Sequence, residues 1–413
     1  MSEQGFYGLI LLIVVAGFVW EQYLRRRNAK HFGDPLPPET QDIYDAEQYR
    51  KSMAYKRENF RFGLVHDTVS FVLLLLMLMF KGFGRLYDAL GNYFHNEWAQ
   101  MMAYFGILYL ASFLISLPFS WYAVFRIEEK YGFNRSSMRL FVLDKIKSLI
   151  LTVLFGASIL SVIWLYYRET GKNFWIWAWL FVSAFSVLMS MFYTDVIVPW
   201  FNKLTPLPEG ELRDALENLA RKTGFRLRNI YVMDAGKRST KANAYFSGLG
   251  PRKKIVLFDT LIEQMQPDEI AAVMAHEIGH YKHRHILRQI LLSVVVTGLM
   301  FYLLSLVIDN ETLARALGAK GASFAIGLTA FALLYEPFTV LTGWLTNTLS
   351  RRFEFQADAY AARYDYGEPL IGALRKLAAR NLSNLTPERL YVQFHYSHPP
   401  LDARIRMLKK KSI

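Results

Sequence analysis

No cysteine occurs in the 413 residues, which excludes disulfides and thiolate metal ligands but does not identify a compartment. Charge is sparse as well. Asp, Glu, Lys and Arg make up 20% of the chain, and the 35 acids are outnumbered by 48 Lys and Arg, for a formal net charge of +13. No internal repeat or low-complexity tract is present, so repeat architectures are excluded. What fills the chain instead is apolar: 53% hydrophobic, 15% aromatic, with a mean hydropathy of +0.15. Those values suit an integral membrane protein better than a soluble enzyme.

Seven apolar stretches are long enough, or nearly so, to span a bilayer. They run over 6–23, 64–80, 101–125, 148–167, 174–198, 286–308 and 324–349. The second is the shortest and the last is interrupted by Glu336-Pro337, so the count depends on whether that interruption breaks the span. The first lacks a basic leader and a small-residue cleavage site, and reads as a retained helix rather than a signal peptide.

Basic residues orient these spans. Arg25, Arg26, Arg27 and Lys30 follow the first, and Arg50, Lys51, Lys56, Arg57 and Arg61 precede the second. Six more lie between the third and fourth, whereas the alternate loops hold only two each. The positive-inside rule then puts the N-terminus outside and the richer loops in the cytoplasm. The segment between spans five and six, the turns after span seven and the C-terminus all share that cytoplasmic side. Because the positive charge is spread over juxtamembrane loops, contact with anionic membrane lipids accounts for it, and no nucleic-acid partner is expected.

One sizeable soluble insertion remains, 199–285. Residues 210–222 have helical amphipathicity, with Leu212, Leu216 and Leu219 apolar between charged neighbours. Residues 229–233 and 254–258 read as short strands, Gly248-Leu249-Gly250-Pro251 as a turn, and Thr260 with Glu263 as a capping box. Pro267-Asp268-Glu269 then opens a helix, since proline suits its first position and acids suit its positive end. That helix carries His276-Glu277-Ile278-Gly279-His280. Positions i and i+4 share a face, so both imidazoles converge on one metal ion, and Glu277 reaches a water held there. Gly279, between the ligands, permits close approach of a neighbouring element.

Two histidines do not hold a catalytic zinc, so a third ligand is required. The extended H-E-x-x-H-x-x-G-x-x-H signature fails, because His283 stands at the glycine position and Ile286 at the last histidine. His276 and His283 are about 10 Å apart along a helix axis, too far to close easily on one ion. His283 and His285 are therefore expected to be solvated or to support the ligands from behind. The stronger candidate follows span seven, in the segment Arg351 to Tyr360. Glu354 and Asp358 are i, i+4 there, so Glu354 completes a His-His-Glu set while Asp358 accepts from the distal nitrogen of a ligating histidine.

With these residues in view the chain resembles the type I CAAX prenyl proteases, integral-membrane zinc metalloproteases, over nearly its whole length. The resemblance rests on Glu128-Glu129-Lys130-Tyr131-Gly132-Phe133-Asn134, Ala242-Asn243-Ala244-Tyr245-Phe246, the HEIGH helix, Arg351–Tyr360, and His395-Tyr396-Ser397-His398-Pro399-Pro400. It implies a predominantly α membrane protein whose seven helices form a barrel around a large chamber, with a small α+β gluzincin-like zinc protease domain on the cytoplasmic side. Residues 1–198 would carry spans one to five, 199–285 the catalytic insertion, 286–349 spans six and seven, and 350–413 the third ligand. The resemblance also implies one Zn2+ per chain on His276, His280 and Glu354, with Glu277 as general base and Asp358 behind the ligands. Asn243 matches a residue that holds the substrate backbone on a strand edge, and His398 and Arg404 match groups near the scissile carbonyl. A peptide or protein substrate cut near its C-terminus, prenylated in the family's usual case, and a monomeric enzyme are expected.

The chain departs from the eukaryotic members in its compactness and short extracytoplasmic loops. That favours a bacterial inner membrane over the endoplasmic reticulum, although Lys410-Lys411-Ser412-Ile413 fits a dilysine retrieval pattern. Other readings are membrane-protein quality control by the same chemistry, a zinc-stabilised scaffold, or a transporter. Glu277 argues against the scaffold, because a structural site has no use for a base beside an open position. His66-Asp67, Asp195 and Glu336, ionisable groups at or within spans, are what a transporter would use.

Overall fold

Short polar side chains set where the long helices start. In the computed structural model, which describes residues 1–225, 229–247 and 254–411, Ser2 caps α1 (Glu3–Lys30) and Asp45 caps α2 (Ala46–Met79). Asn96 caps α3 (Glu97–Tyr122) and Ser137 caps α4 (Met138–Thr170). Each accepts from a backbone N–H that the first turn leaves unpaired. All four helices begin before the apolar runs they carry, α2 by the widest margin, because nothing between cap and run breaks them. Pro118 removes a backbone donor inside α3, and the helix passes into a π-helical turn at Ala123–Glu128. Gly171, at a φ of +53°, turns the chain from α4 into α5 (Phe174–Val196). Ring pairs Phe155–Phe185 and Tyr166–Phe181 show the two limbs running antiparallel.

The remaining helices are α6 (Glu211–Thr223), α7 (Pro267–Lys282), α8 (His285–Val307), α9 (Phe324–Leu334), α10 (Glu336–Arg363), α11 (Gly367–Arg380), α12 (Arg389–His395) and α13 (Leu401–Lys411), with a few shorter turns between them. Helices α9 and α10 meet at a 54° bend, where the sequence reads Glu336-Pro337. Among the described residues, five helical stretches are long and apolar enough to cross a membrane, or six if that bent pair is one span. One of the five, Met138–Phe201, contains both limbs of the α4–α5 hairpin. Large apolar side chains face outward on these stretches: Leu12, Val295 and Leu306 are 64%, 65% and 61% exposed. Water would not leave such a surface uncovered, whereas lipid covers it at no cost. Two of the ionisable groups noted above are paired, Asp67 with Arg25 at 2.8 Å and Asp195 with Lys254.

Strands β1 (Leu204–Pro206), β2 (Ile230–Met233), β3 (Ala244–Ser247) and β4 (Lys254–Phe258) form one sheet in the order β1-β2-β4-β3. β2 and β4 are parallel, the other pairs antiparallel, and β3 is an edge. The predicted turn at 248–251 and the last two residues of the dilysine pattern lie outside the described residues. Leu216 and Leu219 of α6, Leu257 of β4, Ile270 and Ile278 of α7, and Ile405 of α13 close a core separate from that of the spans. The predicted Thr260–Glu263 box does not form. Thr260 lies within a short helix and donates its hydroxyl to the Lys241 carbonyl at 3.0 Å. The box stands instead at Gln266 and Glu269, immediately around Pro267.

Candidate metal centre

Helix α7 presents His276 and His280 on one face, and α10 crosses it to bring Glu354 between them. The crossing is close because Gly279 has no side chain: a Cβ there would lie 2.9 Å from Ala357 Cα and 3.0 Å from Tyr360 Cβ. Gly279→Val is therefore expected to push α10 outward and carry Glu354 with it. Metal analysis of the purified variant should find well under one ion per chain, and retention of a full equivalent would refute the packing argument.

His276 Nε2 lies 3.1 Å from His280 Nε2 and 3.5 Å from Glu354 Oε2, and His280 Nε2 lies 3.2 Å from Glu354 Oε1. Ligand atoms held at about 2.0–2.1 Å from one tetrahedral zinc lie about 3.3 Å from each other, so the donor set fits that ion. A second observation agrees. Glu354 is 3% exposed, yet its Oε2 has no well-formed hydrogen bond, although His398 Nδ1 approaches to 2.9 Å and Arg404 Nη1 to 3.4 Å. A buried carboxylate oxygen left so is costly unless a cation takes its lone pair.

Groups behind the ligands decide which ring nitrogens face inward. Asp358, fully buried, lies 2.7 Å from His276 Nδ1, so that nitrogen donates and Nε2 is the one turned to the other ligand atoms. Burial pushes the His276 imidazole down, but acceptance by Asp358 and Glu354 outweighs it and raises the group to about 9, so a metal ion at Nε2 displaces the proton that Glu354 accepts. His280 is set by a longer chain. The Gln356 amide oxygen accepts from His285 Nε2 at 2.8 Å, so His285 Nδ1 accepts from His280 Nδ1 at 3.0 Å. His280 Nε2 is thereby free to ligate.

Of His283 and His285, which follow the pentapeptide, His285 is buried and supports His280, while His283 is exposed. Helical extrapolation does not reach His285, because α7 stops at Lys282 and Arg284 adopts a left-handed φ of +56°. Gln356 has no signal in the sequence at all: it lies off the face shared by Glu354 and Asp358.

Glu277 is half-buried and has neither a hydrogen bond nor an ion pair among the described residues. Arg404, 8% exposed on α13, forks onto Asp358 at 2.8 and 2.6 Å. Its guanidinium thus backs the ligands rather than facing outward. His398, with 65% of its side chain exposed, stands at the rim. Asn243 precedes the edge strand β3, its side chain accepting from the Ala244 N–H and its carbonyl from the Phe258 N–H. It lines another cavity of ≈ 480 Å³ with Arg238 and Tyr245, and no hydrogen bond joins it to the ligand cluster among the described residues.

Two imidazoles and a carboxylate around one point, a free glutamate beside them and a frame of membrane-crossing helices define a membrane-embedded metalloprotease. Residues 25–203 match the family model described as CAAX prenyl protease N-terminal, five membrane helices, and residues 206–412 match peptidase family M48. The chain belongs to this family of CAAX prenyl proteases. It is 35% identical over 409 residues to CAAX prenyl protease 1 homolog of Oryza sativa subsp. japonica, covering 97% of this chain and 96% of that protein. To the human homolog it is 32% identical over 456 residues, covering 99% and 96%, and to CAAX prenyl protease 1 of Saccharomyces cerevisiae 34% over 421 residues, covering 95% and 93%. The crystal structure of S. mikatae Ste24p superposes with a TM-score of 0.92 at 34% identity, covering 98% of this chain and 99% of that one.

Proposed function

We propose that this metalloprotease binds one Zn2+ per chain on His276, His280 and Glu354 and hydrolyses peptide bonds near the C-terminus of a protein or peptide substrate. The observation that carries this reading is the triangle of ligand atoms with the unengaged Glu277 carboxylate beside it. Held by these three residues, a zinc ion would supply a Lewis acid for the scissile carbonyl and for a water at neutral pH. Glu277 takes the proton from the attacking water and delivers it to the leaving amine. Asp358 and the His285–Gln356 pair hold the two imidazoles, and Arg404 holds Asp358. His398 at the rim donates to the developing oxyanion, a contact of about 3 kcal/mol in comparable sites. A substrate strand adds to the open edge of β3 near Asn243, where main-chain pairing leaves side-chain selectivity loose.

Substrates carrying a C-terminal prenylated motif are supported by what the relatives' names say they cut. Seven spans result when the limbs of the α4–α5 hairpin are counted separately and α9–α10 once, and we read them as a barrel around a chamber. The divisions at 198, 285 and 349, a cytoplasmic active site, a monomer and a bacterial inner-membrane location complete the reading. The basic loops support the cytoplasmic active site, and the short extracytoplasmic loops support the bacterial location.

The test is cleavage of a farnesylated CAAX peptide beside its unprenylated twin by the purified protein, with and without a zinc chelator. Chelator-sensitive cutting restored by added Zn2+ is the expected result, and the ratio between the peptides reports whether the lipid matters. Cutting that survives complete metal removal would sink the mechanism.

A further inference from the structure

The face of α10 that closes the metal centre continues toward the start of that helix. Asn347, Arg351, Glu354 and Asp358 follow one another at spacings of four, three and four, so they share one face. The last two serve the ligand cluster. The first two reach α12, whose end leads to the rim. Asn347 Nδ2 donates to the Phe394 carbonyl at 2.6 Å. Arg351 Nη1 shares its hydrogens among the carbonyls of Val392 at 3.0 Å, Gln393 at 3.3 Å and Tyr396 at 2.6 Å. Its Nη2 donates to the Thr348 hydroxyl at 2.9 Å.

These are carbonyls that a helix end leaves open. α12 runs only over Arg389–His395 and stops at Tyr396, whose backbone is extended, so its last carbonyls need donors from outside. A cation also suits the negative end of the helix dipole. Arg351 forms no ion pair among the described residues, and these carbonyls are what offset its burial. The other end of α12 is tied to α1, where the Glu388 carboxylate accepts from Arg27 at 2.6 Å and the Glu388 N–H donates to the Asn28 side chain at 3.1 Å. His398 stands two residues beyond the clamped Tyr396 carbonyl. Pro399-Pro400 follows it, and the rings restrict both their own φ and the residue before them. The His398 side chain is 65% exposed, and its polar contact among the described residues is Nδ1 with Glu354 Oε2 at 2.9 Å. The place of the ring is therefore set chiefly by the backbone around it.

We propose that Arg351, assisted by Asn347, is a positioning residue for His398. It ties the segment that carries His398 to the same helix face that carries Glu354, so the imidazole keeps its place relative to the metal ligands. The inference rests on the reading in which His398 donates to the developing oxyanion, and it adds what holds that donor. Such a donor acts only where the oxyanion forms, and a misplacement of about 1 Å can cost about a hundredfold in rate. One helix face then fixes the ligand Glu354, its neighbour Asp358 and the donor at the rim together.

The test is a double-mutant cycle on cleavage of a farnesylated CAAX peptide by the full-length protein, with metal content and amide hydrogen exchange measured on the same preparations. Arg351→Met should lower kcat about ten- to a hundredfold, change KM by less than about twofold, and retain one metal ion per chain. Arg351→Lys, which keeps donors for the carbonyls, should recover most of that loss. In a His398→Ala background, Arg351→Met should lower kcat by less than about twofold, because the group it positions is gone. Exchange at the Tyr396, Ser397 and His398 amides should quicken in Arg351→Met and in the milder Asn347→Ala. Equal losses of kcat in both backgrounds overturn the proposal, as does exchange unchanged in both single variants. Exchange is read without turnover. A wild type that cuts no peptide, or a His398→Ala that cuts at the full rate, would refute the reading of the reaction and leave exchange to decide whether Arg351 holds the segment.

Discussion

Glu277→Gln is expected to lower kcat by about a hundred- to ten-thousand-fold while leaving one metal ion per chain. Glutamine fills the same volume at the same place on α7, and Glu277 makes no hydrogen bond or ion pair that the change would break. The proposed ligand atoms belong to His276, His280 and Glu354, so the metal should stay. What disappears is the capacity to accept and return a proton. Measuring turnover and metal content on one preparation separates this from a ligand defect. Loss of both would mean that Glu277 helps to build the site rather than to run it.

Asp358→Ala should damage stability and metal affinity together. The buried carboxylate serves two partners, His276 Nδ1 at 2.7 Å and the Arg404 fork. Removing it leaves a guanidinium that is 8% exposed facing Glu354 and His276 Nδ1, each at 3.4 Å, and breaking a buried pair from one side costs about 3–5 kcal/mol. It also frees the His276 ring to rotate or change tautomer, and loss of such a support typically weakens metal binding about 10–100-fold. Denaturant unfolding and a competitive metal titration read the two effects separately. Asp358→Leu combined with Arg404→Met should recover most of the stability, since an apolar pair replaces the ion pair. It should not recover the metal affinity. Recovery of both would show that Asp358 acts only through packing.

Much of this was legible in the chain. Apolar run length located the membrane helices, because a bilayer imposes a length that no local interaction alters. The start of α7 at Pro267 followed from its own first turn, and the convergence of His276 with His280 from helical period alone. The same period paired Glu354 with Asp358. Boundaries were read less well: α2 begins far ahead of its apolar run, and the capping box stands at Gln266 rather than Thr260. Both depend on which polar side chain reaches an open backbone N–H first, and the neighbours of Thr260 engage it elsewhere.

What the sequence determined by itself were the properties that repeat along one element: apolar length, basic loops, and residues sharing one helix face. Only the tertiary structure decided which faces meet. The 354–358 face closes on the 276–280 face because Gly279 lets two backbones touch. His285 supports His280 because the chain reverses at Arg284, and Gln356 reaches His285 from another helix. Arg404 and Lys56, far apart in sequence, line one cavity because α13 and α2 pack around the same loop. Contacts of this kind have no period in the chain, since each requires two distant segments to be placed before either side chain has a partner.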